Sequence, residues 1–207
     1  MIEVRDASLE DAGRILEIYA YYVKNTAITF EYKVPSVDEF RSRMERTMRK
    51  YPYLVILRDG VIEGYAYAGA FVGRAAYDWS CEMTIYLDHG ARKCGMGRIL
   101  YDALQEALRQ MGILNLYACI GCPEREDEYL TANSAEFHAH LGFKKAGEFY
   151  RCGYKFGRWY NRMIGEFEKC GYKFHRWYNM IWMEKLIGAH SAAQSPVIGY
   201  PELKKHE

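Results

Sequence analysis

The chain carries almost no net charge and contains no long apolar stretch. Its 207 residues include 28 lysines and arginines against 27 aspartates and glutamates, which gives a formal net charge of +1. This balance argues against a nucleic-acid partner, because nucleic-acid-binding surfaces are rich in basic residues. A membrane-spanning helix would need about 20 consecutive apolar residues, and the sequence has no such run. The N-terminus enters a polar-flanked strand at Ile2 rather than a signal peptide, so we expect a cytoplasmic protein with no membrane partner.

Six cysteines are present, but they do not form the pattern of a metal or redox site. Only Cys119 and Cys122 form a Cys-x-x-Cys pair. A zinc site would need a second pair or histidines at ligand spacing, and a thioredoxin-like pair would start a helix. We therefore expect reduced, partly buried thiols and no metal. Half of the residues are hydrophobic, which is enough for one sizeable core over residues 1–187, followed by a tail over 188–207.

Both common nucleotide-binding loops are also absent. A P-loop needs a Gly-Lys-Ser/Thr ending, and a Rossmann turn needs a third glycine. The chain instead has Arg-Lys-Cys-Gly-Met-Gly-Arg at 92–98, between a strand pattern that ends at Leu87 and a helical pattern that includes Ile99. Gly95 and Gly97 would let the backbone approach a ligand, and the first helix amides and the helix dipole favour an anion. The segment predicts a diphosphate-binding loop, with an ordinary strand-to-helix turn as the alternative.

The apolar periodicity predicts the element order β-α-α-β-β-β-α-β-α-β. Ser36 and Glu39 form a capping-box pattern, and Asp59-Gly60 suits a tight hairpin because glycine tolerates positive φ. The expected strands with clear bounds are 2–7, 53–57, 61–68, 79–87 and 114–120. The expected helices start at Ser8, at Ser36, after the glycine loop and at Asn133. The last of these helices is expected to stop at Gly142. The tail shows no strong periodicity, and we expect it to lie on the surface or to fray.

The element order and the glycine loop resemble the GNAT N-acetyltransferases, and further segments are similar to their phosphinothricin N-acetyltransferase branch. These segments are Thr-Ala-Ile-Thr-Phe-Glu-Tyr-Lys-Val-Pro at 26–35, Ala-Gly-Ala-Phe at 68–71 with Arg74, Tyr77 and Trp79, Glu-Met-Thr-Ile-Tyr-Leu at 82–87, and Ser-Ala-Glu-Phe-His-Ala-His-Leu-Gly-Phe at 134–143. The resemblance covers about residues 1–186. It implies an α/β GNAT fold, in which helices flank a mixed central sheet, with acetyl-coenzyme A as co-substrate and a homodimer.

The resemblance implies two catalytic candidates. The glutamate that matches Glu82 is the family's proposed base, and partial burial by Trp79, Tyr77 and Phe71 would raise the pKa of its carboxyl group toward neutrality. The alternative is a strand glutamate in solvent. His138 falls where many GNAT enzymes place a tyrosine that protonates the leaving thiolate. A structural helix histidine, or a residue that shapes the cofactor wall, is the alternative.

The resemblance also assigns residues to acetyl-coenzyme A. The backbone of residues 85–87 would pair with the pantetheine amides, and Asn133 would cap its helix, hydrogen-bond the pantetheine arm, or do both. The implied cofactor-binding residues are Ile85, Tyr86, Leu87, Arg92, Lys93, Cys94, Gly95, Met96, Gly97, Arg98 and Asn133.

Arg74 is the candidate for binding the carboxylate of an amino-acid substrate, because a guanidinium group can donate two parallel hydrogen bonds to a carboxylate. The aromatic residues that would wall the methyl-bearing end are Phe30, Phe71, Tyr77 and Trp79. The chain has Val72 where relatives often carry a second arginine. This departure affects the identity of the substrate more than the reaction.

We therefore expect an acetyl-coenzyme A dependent N-acetyltransferase that acts on the α-amine of phosphinothricin, methionine sulfoximine or methionine sulfone by direct transfer. One alternative is acetylation of another amine, such as a polyamine, an aminoglycoside or a protein N-terminus. The other is a coenzyme A binding interaction protein without catalysis, whose acceptor site is blocked by a duplicated C-terminal segment.

That duplication is visible in the sequence itself. Residues 147–161 recur eighteen residues later at 165–179, and only three positions differ between the copies. Because the offset is even, exchanging one copy for the other in a strand would keep the same residues facing the core. We expect an extra inserted hairpin or a strand exchanged across a dimer, with a tolerated insertion without function as the alternative.

Overall fold

The computed structural model describes residues 1–71, 78–91, 94–122, 126–149, 151–155, 158–161, 171–173, 176–187 and 198–204. The chain forms two compact units. The first unit comprises Met1–Tyr19, Pro35–Leu116 and Leu186–Glu207, and the second comprises Ala20–Val34 and Tyr117–Lys185. Each unit is described by itself below.

The first unit contains an antiparallel sheet in the order β1-β2-β3-β4. Its strands are β1 (Ile2–Asp6), β2 (Tyr53–Arg58), β3 (Val61–Ala70) and β4 (Ser80–Leu87). Asp59 and Gly60 connect β2 to β3 with φ values of +52° and +82°, and two positive values are what a type I′ turn requires. The predicted hairpin is therefore confirmed.

The helices that precede and follow these strands begin at the predicted caps. Ser8 and Asp11 form a capping box around a single 3-10 turn, Leu9–Asp11, from which α1 (Ala12–Asn25) continues. Helix α2 (Val37–Met48) follows Ser36, whose hydroxyl accepts a hydrogen bond from the Glu39 amide at 3.1 Å. Helix α3 (Met96–Gln110) follows the glycine loop. No helix among the described residues has the length and apolar character needed to cross a membrane.

One face of the first unit's sheet carries a layer of tyrosine rings. Tyr53 lies opposite Tyr67 and Tyr65 lies opposite Tyr86, so three strands contribute side chains to the same face. The rings of Tyr53 and Tyr67 stack with centroids 4.8 Å apart, and helix α1 covers the layer through Tyr19, 5.2 Å from the ring of Tyr86. Burial raises the pKa of the Tyr53 and Tyr65 hydroxyls well above the usual value. Both rings therefore stay neutral and act as packing groups.

Helix α3 packs against β2, β3 and β4. Leu100, Leu104 and Leu108 recur on its apolar face at helical spacing and are fully buried. Tyr101 is 2% exposed, and its pKa is raised well above the usual value, first by burial and then by the nearby Cys81 and Glu82. The core of the first unit thus lies between its sheet and its helices.

The second unit contains the remaining strands in the order β5-β10-β6, with β9 paired to β10 and a separate β7-β8 ladder. The elements are β5 (Asn115–Cys122), α4 (Asn133–His140), β6 (Lys144–Phe149), β7 (Arg151–Lys155), β8 (Arg158–Asn161), β9 (Gly171–Lys173) and β10 (Arg176–Leu186). Gly142 follows α4 with φ of +88°, which is the conformation expected of a glycine helix stop. Through β6, the observed element order is the predicted one.

The two copies of the duplicated segment form hairpins with the same register. In the first copy Lys155 pairs with Arg158, and in the second Lys173 pairs with Arg176. The first hairpin, β7-β8, is a sheet of its own, whereas β10 continues beyond the second hairpin and pairs with β6 from Met180 onward. Two points stay predictions, namely that one copy is an insertion and that strands are exchanged across a dimer.

Of the two expectations for the tail, residues 198–204 follow the first, because they lie ordered on the surface and do not fray. Ile198 donates its amide to the Met111 carbonyl at 3.0 Å, and the short helix α5 (Tyr200–Leu203) follows. The Tyr200 hydroxyl donates to Asp6 at 2.7 Å, and Lys204 forms an ion pair with the same carboxylate. Periodicity could not predict this anchoring, because it depends on single polar contacts to residues far away in the sequence. Residues 188–197 and 205–207 lie outside the described residues.

The close packing of strand β3 against strand β4 can be tested at Gly64 in β3. A Cβ atom at this position would lie 2.4 Å from the Leu87 Cδ2 atom and 3.0 Å from the Tyr86 carbonyl oxygen. We predict that Gly64→Ala lowers the free energy of unfolding by about 1–3 kcal/mol, as overpacking typically does. Urea unfolding followed by circular dichroism measures it. Gly13→Ala is the matched control, since no described atom lies within 4 Å of that Cβ, and equal stability of the two variants would contradict the prediction.

Candidate active site

Glu82 lies on the tyrosine face of the sheet, near the end of the β3-β4 ladder. The pairing of β3 with β4 is continuous from Gly64–Leu87 to Ala70–Cys81, and it places Glu82 opposite Gly69. Side chains alternate along a strand, so Glu82, Thr84 and Tyr86 share one face. Glu82 is half-buried. A carboxylate is therefore held on a rigid strand beside a position without a side chain.

The turn after β4 is fixed by Asp88 and Arg14. The Asp88 carboxylate accepts hydrogen bonds from the Gly90 amide at 3.0 Å and from the Arg14 guanidinium at 2.8 Å, while the Arg14 Nε atom donates to the Ile62 carbonyl. Burial alone would raise the pKa of Asp88, but these two donors outweigh it and hold the pKa below its usual value. Sequence reasoning missed this pair. Its one local signal was the Asp-x-Gly spacing of an Asx turn.

The glycine loop continues from that turn to the N-terminus of α3. Gly95 is the N-cap residue and has φ of +78°, a conformation that favours glycine. Met96 and Gly97 are buried at the start of the helix, and Arg98 is exposed. The first amides of a helix have no intrahelical acceptor and point toward any anion bound there. The helix therefore begins directly after the glycine loop, as predicted, while the binding of an anion there stays a prediction and Arg92 and Lys93 lie outside the described residues.

Cys94 in this loop is held by the backbone. Its thiol donates to the Ala91 carbonyl at 2.7 Å, and the Arg58 guanidinium lies 3.9 Å from the sulfur. Cys81 and Cys119 are free cysteines as well, and burial raises the pKa of the Cys81 thiol strongly. Among the described residues no group of histidines, cysteines and carboxylates could hold a metal ion.

His138 is buried in the second unit, with 4% exposure. Its Nδ1 atom lies 2.7 Å from the Ser134 carbonyl, so this nitrogen carries the proton and donates. The rings of Phe137 and Phe143 meet the imidazole edge to face at 5.3 Å. Burial lowers the pKa of His138 to about 4, against the smaller opposite effect of the Ser134 hydrogen bond. The imidazole is therefore neutral near pH 7.

Asn133 does not cap α4. The N-cap residue is Ala132, and no side chain makes a capping hydrogen bond there. Asn133 is the first helical residue and is exposed. The helix starts at Asn133 as predicted, but the capping alternative is wrong, because Asn133 occupies the first helical position and not the N-cap position that precedes it.

The predicted substrate residues are distributed over both units. Phe30 packs against the buried pair Ala27 and Leu130 of the second unit. Phe71 and Trp79 belong to the first unit, where the Trp79 carbonyl accepts the Leu114 and Asn115 amides at 2.9 and 3.1 Å. Arg74 and Tyr77 lie outside the described residues. Tyr53, Tyr65 and Tyr67 of the sheet face, and Tyr19 of α1, were not predicted as site residues, although the alternation Tyr65-x-Tyr67 marks a shared strand face.

Known proteins share this architecture and much of the sequence. The family described as "Acetyltransferase (GNAT) domain" matches residues 4–164. The chain is 31% identical to phosphinothricin N-acetyltransferase of Streptomyces viridochromogenes over 160 residues, covering 77% of this chain and 84% of the relative. It is 30% identical to L-methionine sulfoximine/L-methionine sulfone acetyltransferase of Salmonella typhimurium over 157 residues, covering 75% and 88%.

A solved structure agrees with these relatives. The GNAT superfamily phosphinothricin acetyltransferase from Sinorhizobium meliloti, in complex with acetyl-coenzyme A, superimposes with a TM-score of 0.77 at 30% identity, covering 96% of this chain and 98% of that chain. The predicted α/β fold, a mixed sheet flanked by helices, is therefore confirmed. On sequence and structure together, the chain belongs to the GNAT acetyltransferase family.

Proposed function

We propose that the protein transfers the acetyl group of acetyl-coenzyme A to the α-amine of a small amino-acid analogue. Relatives at about 30% identity are named for phosphinothricin and for methionine sulfoximine and methionine sulfone, which are compounds of this kind. The observation that carries the proposal is the position of Glu82. It is half-buried on the tyrosine face of β4, and the chain continues from β4 through the glycine loop to the N-terminus of α3.

The cofactor would be held by backbone groups and by the loop's positive charges. The diphosphate would lie at the first amides of α3 (Met96 and Gly97), where the helix dipole also favours a negative charge. Arg14 and Asp88 act as positioning residues, because they fix the turn between β4 and the loop. Arg92, Lys93 and Arg98 supply counter-charge in this proposal, and residues 85–87 offer main-chain groups to the pantetheine arm.

Glu82 is proposed as the general base. An ammonium group cannot attack a thioester, so Glu82 accepts one proton from it, directly or through one water. The neutral amine nitrogen then forms a bond to the acetyl carbon, the carbon–sulfur bond breaks, and the second amine proton neutralises the released thiolate. No acyl-enzyme is formed, because the acetyl group passes directly between the two bound substrates. Cys94 is not a nucleophile in this scheme, since its thiol is bound to the Ala91 carbonyl within the loop.

His138 fits a neutral role better than the role of proton donor. Its single proton is on Nδ1 and is engaged by Ser134, and burial keeps the second nitrogen unprotonated near pH 7. We propose that His138 shapes the wall of its unit and that it accepts, rather than donates, any catalytic hydrogen bond.

Another amine substrate, such as a polyamine, is the runner-up. A polycation would need an acidic cleft, and the sequence offers the mixed acidic run Glu-Arg-Glu-Asp-Glu at 124–128. In the described part of this run, Asp127 accepts the Tyr129 and Leu130 amides, and Glu126 accepts the Ala132 amide. Because these carboxylates bind backbone amides of their own loop, they offer weak support for a site that binds a polycation. An amino-acid acceptor is therefore favoured.

The first test is the effect of Glu82→Gln on thiol release from acetyl-coenzyme A with methionine sulfone or phosphinothricin as acceptor. We expect kcat to fall by about 10²–10⁴-fold, the usual contribution of a general base, while the dissociation constant for acetyl-coenzyme A stays within about twofold.

Glu3→Gln is the matched control, because it makes the same substitution at an exposed glutamate of strand β1. A Glu82→Gln variant with wild-type kcat would contradict the role of Glu82 as general base. Coenzyme A binding by the intact protein with no turnover of any amine would favour the interaction protein instead. Deleting residues 148–165 then shows whether the duplication blocks the site, because activity would appear on deletion.

The protonation of His138 can be measured by NMR of the imidazole carbon protons, with His138→Gln to assign the signal. We expect no titration between about pH 5.5 and 8.5, because the pKa is about 4. The unfolded imidazole has a pKa of about 6.5 and binds its proton first, so stability should fall as the pH drops from about 6.5 to 4. A midpoint near pH 6.5 in the folded protein would restore the acid role.

We also propose a homodimer, with strand exchange through the duplicated segment as one way to form it. Light scattering behind size-exclusion chromatography should give twice the chain mass of 24.2 kDa. A monomer would contradict the dimer, and a dimer that survives deletion of residues 148–165 would contradict strand exchange.

A further inference from the structure

Strand β3 contains two interior glycines, Gly64 and Gly69, and only one of them is explained by packing. Glycine is disfavoured inside strands, where it marks a bulge, a close backbone approach or the approach of a ligand. Gly64 is explained by a close approach, because Leu87 and the Tyr86 carbonyl leave no room for a Cβ atom. Gly69 needs a separate explanation.

Neither a bulge nor backbone conformation accounts for Gly69. The β3-β4 register runs without a shift through Gly69, which pairs with Glu82. Gly69 is not among the glycines with positive φ. Apart from its own chain neighbours, no atom of the described residues would lie within 4 Å of a Cβ atom at Gly69. The described part of the protein therefore gives no packing reason for a glycine at this position, and the approach of a ligand is the explanation pursued below.

The open position lies beside the groups that the reaction needs. Directly opposite residues in an antiparallel pair have Cβ positions about 4.5–5.5 Å apart, and diagonal neighbours are about 7–8 Å apart. Glu82 is therefore the direct neighbour of the space over Gly69, and Tyr67 is a diagonal neighbour of Glu82 on the same face. The Tyr67 ring is fixed by its stacking on Tyr53. The space has a carboxylate on one side and a rigid aromatic ring at one end.

We propose that Gly69 forms the floor of the acceptor site and sets the size of the amine that can enter it. The carbon skeleton of the acceptor lies over the glycine, with its α-amine toward Glu82 and one end against Tyr67. This assignment rests on the proposed function and adds a residue that determines its specificity. A side chain at position 69 would fill the volume that the acceptor occupies.

Gly69→Ala and Gly69→Val test this with two graded side chains. We expect the KM for methionine sulfone to rise about 10-fold or more in the alanine variant and further in the valine variant. The KM for acetyl-coenzyme A should stay within about twofold. The melting temperature should stay equal or rise, because these residues suit a strand better than glycine and meet no described atom. Gly13→Ala is the control, and its kinetics should match the wild type.

Each outcome separates the two proposals. Wild-type turnover with an unchanged acceptor KM in both variants would overturn the assignment of Gly69 and leave the proposed function standing. A fall in melting temperature together with lost binding of acetyl-coenzyme A would also overturn it, because it would show that Gly69 is needed for folding. If the wild type acetylates no amino-acid analogue, the proposed function fails and the acceptor site at Gly69 fails with it.

Discussion

The continuous antiparallel register between β3 and β4 is the constraint on which the rest of the site depends. It sets Glu82 opposite Gly69 and Tyr86 opposite Tyr65, and a slip of one residue would turn every one of these side chains to the other face. The tyrosine layer stabilises this register, because its stacked rings join three strands on one face. The same ladder sets the side of the sheet on which Glu82 lies and ends at Leu87, where the turn toward α3 begins.

The turn that links strand and helix shows how local chemistry supports that constraint. Arg14 of α1 contacts both the Ile62 carbonyl in β3 and the Asp88 carboxylate after β4. A partly exposed ion pair contributes little to global stability, about 1 kcal/mol or less. Its value lies in geometry, since it holds the turn from which the loop and the first amides of α3 project.

Much of the fold could be read from the sequence, because it follows from short-range patterns. The hairpin at Asp59-Gly60, the Ser36 cap and the Gly142 stop depend on local dihedral preferences, and the structure has all three. The Asn133 cap failed, because Ala132 is the N-cap residue and Asn133 is the first residue of the helix. The anchoring of Tyr200 on Asp6 could not be predicted, since it joins distant residues through one hydrogen bond. For the candidate site, the sequence indicated Glu82 and the glycine loop. The position of Gly69 opposite Glu82, with no packing contact from the described residues, required the strand register, which no single strand sequence contains.

The most direct measurement is a crystal structure of the protein with coenzyme A and methionine sulfone bound together. The account predicts the acceptor over Gly69, with its amine nitrogen in hydrogen-bond contact with Glu82 directly or through one water, and the diphosphate at the amides of Met96 and Gly97. An acceptor bound elsewhere, with Glu82 out of reach of its nitrogen, would contradict the account.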